Sequence, residues 1–240
     1  MSGSPSAAKV NSASRLAMLA ERMAKLNAQV GRDVLLARSR RALGETSANF
    51  ERTLQGLAAG AATTELRENY RLLRVLWDEF RPIALQAPDE KVGRKLAERT
   101  EELAWIAAKG ARLLHELDRS RAADLVMLAG TARAAAQRLG KLHLQRGWSL
   151  SANALPRETD RAEGEVVHAI EVLRAAPETL EDAALSLGMA ESQLVFLRQA
   201  VERLAQGKDR PTQLEHIAKS SDHVAETLDR VAKGYEGVKG

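Results

Sequence analysis

Val10-Asn11-Ser12-Ala13-Ser14-Arg15-Leu16-Ala17-Met18-Leu19-Ala20-Glu21-Arg22-Met23-Ala24-Lys25-Leu26-Asn27-Ala28-Gln29-Val30 carries two apolar seams at helical spacing. Leu16, Leu19, Met23, Leu26 and Val30 form a stripe of large residues. Ala13, Ala17, Ala20 and Ala24 form a stripe of small ones beside it. Large residues fill the core of a bundle, whereas an alanine seam lets a second helix backbone come close. A helix with both packs on two sides at once.

The stretch has a second copy. Glu21-Arg22-Met23-Ala24-Lys25-Leu26 aligns with Gln137-Arg138-Leu139-Gly140-Lys141-Leu142, positions 21 and 137 differing by 116. At that offset Ala13 meets Ala129, Ala20 meets Ala136 and Ala24 meets Gly140. Ala17 alone meets a large charged residue, Arg133, with Gly130 a turn before it and Gln137 a turn after. An arginine in a small-residue seam either anchors an anion or snorkels out to solvent. Asn11, Arg15 and Arg22 share one face of the first copy, as a salt-bridge ladder with acidic side chains or as one wall of an anion site.

Val10 to Lys25 resembles the opening motif of the PilJ/NarX-type sensor domain, found in type IV pilus chemotaxis transducers and nitrate/nitrite sensor kinases. The family pattern runs approximately Ile-Asn-x-Ala-Gly-x-x-Arg-Met-x-Ser-x-Arg-Met on the first helix of a four-helix bundle. Its first arginine, which meets nitrate at a dimer interface in the nitrate sensors, falls on Ala17 and then on Arg133. Its second is kept as Arg22 and Arg138. The glycine is Ser14 and then Gly130, the asparagine is Asn11 and then Met127, and the serine is Ala20 and Ala136. The resemblance extends over nearly the whole chain as a tandem pair, and neither copy holds the full ligand motif.

The composition agrees with this. The chain has 240 residues, 45% hydrophobic and only 3% aromatic, with six prolines and no segment of strand-like alternation. An all-α protein follows: two four-helix up-down bundles in tandem, residues 8–118 and 119–240, after a disordered segment 1–7. The net charge of +4 permits an anionic ligand without demanding nucleic acid, and the lack of cysteine excludes disulfides and thiolate chemistry. No run of apolar residues approaches a membrane span and the start lacks a secretory pattern, so a cytoplasmic protein is expected, or a periplasmic one if the chain is a trimmed mature sensor portion.

In chain order, the spacing predicts a first helix from about Ala8 to Leu43 ended by Gly44, with Arg38, Arg40 and Arg41 complementing its C-terminal dipole. Helix two spans about Glu45 to Leu57, with Phe50, Leu54 and Leu57 inward. Thr64 caps helix three, which Pro82 kinks or ends. From Asp89 to Gly147 no proline intervenes, and the leucine rhythm predicts one continuous rod shared by the two bundles, roughly 80 Å long. In the second copy Trp148 to Leu155 form a loop, Pro156 starts a helix, Pro177 and Gly207–Pro211 bracket the next, and the last ends near Tyr235. There Leu57 aligns with Leu173, Trp77 with Phe196, Leu96 with Ile217 and Leu103 with Val224.

Glu165-x-x-His168 has di-iron spacing but lacks the second pair such sites need. His216 and His223 lie seven apart on one helix face. No nucleophile elbow, phosphate loop or nucleotide fingerprint occurs, so no enzyme, metal or cofactor is expected.

The resemblance implies a signal-input protein sensing a small oxyanion, nitrate or nitrite first, through Arg133, Arg138, Gln137 and Gly130, with Arg15, Arg22 and Asn11 on the first copy. It implies a homodimer through the seam of Ala129, Arg133, Ala136 and Gly140, relaying to a separate output protein. A ligand-free helical interaction module docking a partner on its alanine seams is the alternative.

Overall fold

The computed structural model describes residues 6–146, 154–208 and 210–238. Those residues form eight α-helices: α1 (Ala7–Gly31), α2 (Leu36–Ala59), α3 (Thr64–Ala84), α4 (Glu90–Asp118), α5 (Arg121–Leu144), α6 (Ala154–Ala175), α7 (Glu181–Ala205) and α8 (Arg210–Tyr235). Helices α1–α4 pack on one another and so do α5–α8, while α1 packs along α5 more extensively than along any other helix. Of the segment expected to be disordered, residues 1–5 lie outside the described part, and Ala7 already opens α1. The loop expected over Trp148–Leu155 lies outside it up to residue 153, and Asp209 of the Gly207–Pro211 bracket does too.

The long shared rod does not form. Helix α4 stops at Asp118, Arg119 turns left-handed (φ 47°), and the Ser120 Oγ caps α5 by accepting from the Ala123 amide at 3.1 Å. The chain reverses within two residues, and His115 and Asp124 meet across the turn at 2.7 Å. A rod would leave one face of α5 open to water. The reversal instead buries Val126, Ala129, Ala132, Ala136 and Leu139.

Consequently α1 and α5 lie side by side and parallel. Ser14 packs on Gly130 near their starts, and the Arg32 guanidinium donates to the Leu144 carbonyl at 2.9 Å near their ends. Helix α8 runs antiparallel to both: Glu236, just past its end, and its residues 229 and 222 meet residues 11, 15 and 25 of α1. The seam expected to hold a second chain is therefore filled by the protein's own α1.

The first helix also ends earlier than Leu43. Asp33 and Leu35 adopt left-handed φ, and the Val34 amide donates back to the Gln29 carbonyl at 2.9 Å, so α1 closes at Gly31. Buried Val34 and the Arg32 contact with α5 hold this turn. Gly44 is instead an exposed interior position of α2, and Arg38, Arg40 and Arg41 sit in that helix's early, not final, turns. Thr63, rather than Thr64, caps α3, accepting from the Leu66 amide at 3.2 Å. Pro82 lies in the last turn of α3, two residues before it ends.

The buried positions of the two halves correspond. Phe50 and Leu54 of α2 lie 116 residues before the buried Val166 and Ile170 of α6, and Leu73 and Leu76 of α3 lie 121 before the buried Leu194 and Leu197 of α7. The sequence pairing of Trp77 with Phe196 fails in this register. Trp77 is fully buried and stacked on Phe50 at 4.1 Å between ring centroids, whereas Phe196 lies on the outer face of α7.

Candidate functional site

The α1–α5–α8 seam is small enough for close approach and yet full of charge. A Cβ on Gly130 would lie 2.7 Å from the Ser14 Cβ, and one on Gly140 would lie 2.8 Å from the Ser221 Cβ. Only glycine permits these contacts, and they bring polar side chains of three helices within reach of each other.

Arg133 sits at the centre with its side chain fully buried. Its Nη1 donates to Asp229 Oδ1 and, at 3.2 Å, to Asn11 Oδ1. Its Nη2 donates to the Asn11 carbonyl at 3.3 Å and to Ser14 Oγ at 3.0 Å. Arg15 grips the same carboxylate in a bidentate pair, Nε to Oδ1 at 2.9 Å and Nη2 to Oδ2 at 2.8 Å. Asn11 Nδ2 in turn donates to Glu236 Oε1 at 2.6 Å. Burial pushes the Arg133 guanidinium down to about 10, against the pull of Asp229. Burial alone would raise the Asp229 carboxyl, but the two guanidiniums outweigh it and hold the group below its ordinary value.

About two turns along, Asp222 Oδ1 accepts from Lys25 Nζ at 2.7 Å and from Gln137 Nε2 at 3.0 Å, with Arg22 Nη2 at 4.0 Å. Lys25 is fully buried and also donates to Ser221 Oγ at 3.1 Å. Burial lowers its ammonium, and Asp222 opposes that shift. The Asp222 carboxyl, which burial would raise, is held at about 2 chiefly by Lys25 and Arg22. A third pair, Glu21 with Lys141 at 2.8 Å, is buried on both sides. A buried charge is tolerated only when paired, and each of these charges is.

Asn11, Arg15 and Arg22 thus meet Glu236, Asp229 and Asp222 in turn. Arg133, Gln137 and Gly130 join them from α5. Arg138 does not: it turns toward α6 and pairs with Glu165 at 2.6 Å. That contact also engages the glutamate of the Glu165-x-x-His168 spacing, and among the described residues no cluster of His, Asp and Glu could hold a metal ion. Beside the seam lies a cavity of about 550 Å³ between α1, α2 and α8, lined by Arg15, Arg22, Arg230, Thr46, Asn49 and Asp229 among others. Sequence reasoning missed Asp222, Asp229 and Glu236, although Asp222 and Asp229, seven apart, lie on α8 beside the buried Ala218, Ala225 and Ala232, and Glu236 continues the spacing one residue past the helix end.

Among the described residues no helix is long and apolar enough to cross a membrane. No curated protein and no solved structure matches the chain. Residues 2–100 match the family model described as the type IV pili methyl-accepting chemotaxis transducer N-terminal domain, PilJ, which ends within α4 and leaves α5–α8 outside it. That part of the chain, which supplies α1 and with it Asn11, Arg15, Arg22 and Lys25 of the seam, is a PilJ domain.

Proposed function

We propose that this chain is a PilJ-type input module working by protein contact, its two sensor units (8–118 and 119–240) folded against each other and the anion position of its motif helices filled by its own Asp229. The observation that carries this reading is the Asp229 carboxylate held between Arg133 and Arg15. A carboxylate between two guanidiniums is chemically what a bound planar oxyanion would be. Here the anion is tethered. A tethered group competes at an effective concentration on the order of millimolar or higher, so free nitrate or nitrite has to displace a partner that cannot diffuse away. The matching burial registers of α2 with α6 and of α3 with α7 support treating the second half as a further copy. The output is then a change in helix packing, passed to a separate signalling protein.

A second reading, a sensor of a small oxyanion such as nitrate or nitrite, is favoured by the arginine-lined cavity next to Asp229. It requires the aspartate to give way to the ligand. Thermal melts of wild type and Arg133→Ala in nitrate, nitrite and chloride at matched ionic strength separate the two. Superimposable wild-type melts are expected. Ligand at a hundred times its dissociation constant would stabilise by about 2.7 kcal/mol and raise the midpoint by several degrees. A rise of that kind, specific to one anion and lost in Arg133→Ala, would overturn the contact reading in favour of the sensor.

A further inference from the structure

Helix α7 buries Leu187, Ala190, Leu194, Leu197 and Ala200 toward its own bundle, as an amphipathic helix should. Its opposite face is also apolar. Leu185 is 62% exposed, Met189 51% and Phe196 54%, with Gly188 and Ser192 between them. In the register that aligns Leu73 with Leu194, the equivalent face of α3 presents Thr64, Arg67, Glu68, Arg71, Val75 and Asp78. The first half therefore presents one exposed apolar residue on this face, Val75, among polar ones, where the second half presents Leu185, Met189 and Phe196. A contiguous exposed apolar stripe marks a contact surface rather than scattered surface leucines.

The order of residues along the stripe identifies the occupant. About Ser192, Glu181 and Arg203 are equally spaced, and so are Gly188 and Phe196. We infer that α7 is a self-association surface on which a second copy of this chain packs its own α7 antiparallel, the two-fold axis passing at Ser192.

In that arrangement each end of the stripe meets its chemical opposite. Glu181 of one copy faces Arg203 of the other, twice by symmetry, and among the described residues neither forms an ion pair within its own chain. The Phe196 ring faces Gly188, where a Cβ would meet no atom within 4 Å and room is open for it. Antiparallel α7 helices also oppose their dipoles favourably. An isologous interface needs a patch complementary to itself, and this stripe has that property in charge and in size. The groove of about 680 Å³ between α7 and α8, lined by Leu185, Gly188, Met189 and Ser192, gives the incoming helix a seat. A single helix pair lies at the small end of stable interfaces, so association in the micromolar range is expected.

The experiment is sedimentation velocity on the full chain across roughly 1–300 μM, the range where such an interface fills. Wild type should pass from monomer to dimer. Phe196→Ser should remove the dimer, because central aromatics dominate such contacts. Glu181→Arg or Arg203→Glu alone should weaken it about tenfold by turning two attractions into repulsions, and the two together should restore it. Since the chain has no cysteine, Ser192→Cys under mild oxidation should give a single disulfide-linked dimer. All of these side chains are exposed, so the circular-dichroism melt of the reduced or diluted variants should be unchanged. A wild-type monomer throughout, a dimer indifferent to Phe196→Ser, or a double charge reversal no better than the single ones would overturn the proposal.

Discussion

Asp229 is shared by two arginines from different helices, Arg133 of α5 through Oδ1 and Arg15 of α1 through both oxygens. The sharing is unequal in consequence. Asp229 is one-third exposed and keeps Arg15 if Arg133 is lost, whereas Arg133 is fully enclosed and, among the described residues, forms an ion pair with no other carboxylate, Glu236 acting on it only from farther off. Asp229→Ala should therefore cost about 3 kcal/mol, because it strands a buried cation. Arg133→Met should cost less, and adding Asp229→Leu to it should recover much of the single aspartate loss. Urea unfolding of the three variants checks the order; an Arg133→Met more damaging than Asp229→Ala would contradict it.

Close packing sets the seam glycines, like Gly110 against Asn69 and Tyr70, apart from those in open space. Gly130→Ala and Gly140→Ala should each destabilise by about 1–3 kcal/mol, since the new methyl meets the Cβ of Ser14 or Ser221. Gly44→Ala should do the opposite, gaining about 0.5–1 kcal/mol at an exposed interior helical position with nothing near it. Denaturant midpoints should therefore move in both directions within one glycine-to-alanine series.

The reversal between α4 and α5 rests on two residues. Arg119→Gly removes the left-handed strain at φ 47° and should stabilise by about 0.5–1 kcal/mol. Ser120→Ala removes the cap on the Ala123 amide and should cost about 1 kcal/mol. Were the two helices continuous in solution, Arg119→Gly would destabilise instead, as glycine does inside a helix.

Acid should loosen the fold in two stages. Burial, reinforced by Arg146, holds the His143 imidazole at about 4, below its ordinary 6.5. The neutral form is the one the fold accepts, so its contribution is complete above pH 6.5 and falls away as the pH drops toward 4. Asp222, held at about 2 against 3.8, contributes above 3.8 and is lost only below that. Stability measured across this range should decline first between 6.5 and 4, and His143→Gln should flatten that first decline while leaving the second.

The helical class, the place of Arg133, Gln137 and Gly130 along one small-residue seam, and the single face shared by Asn11, Arg15 and Arg22 were legible because apolar periodicity records which face is buried; that the two faces meet each other within one chain was not. The connections were less so. Periodicity passes unbroken through Asp118–Ser120 because two residues suffice for a reversal, and neither is glycine or proline. The same happened at Asp33–Leu35, where Gly44, the more obvious breaker, turned out to lie inside a helix. The chemistry of the seam was half visible: the arginines stood out against alanine, but acids on α8 look like solvent-facing residues until the antiparallel partner is known.

Joining α1 and α5 in one polypeptide has a consequence for how the seam can diverge. Where two identical helices meet about an axis, any residue placed on the axis meets itself, so an arginine there faces an arginine. With both helices encoded separately, Arg133 can stand where its counterpart is Ala17, and α8 can supply the counter-charge to one side only. The pairing also has no association equilibrium, so dilution cannot open it. This protein can hold a lopsided charge arrangement at any concentration, which a symmetric pair of chains cannot.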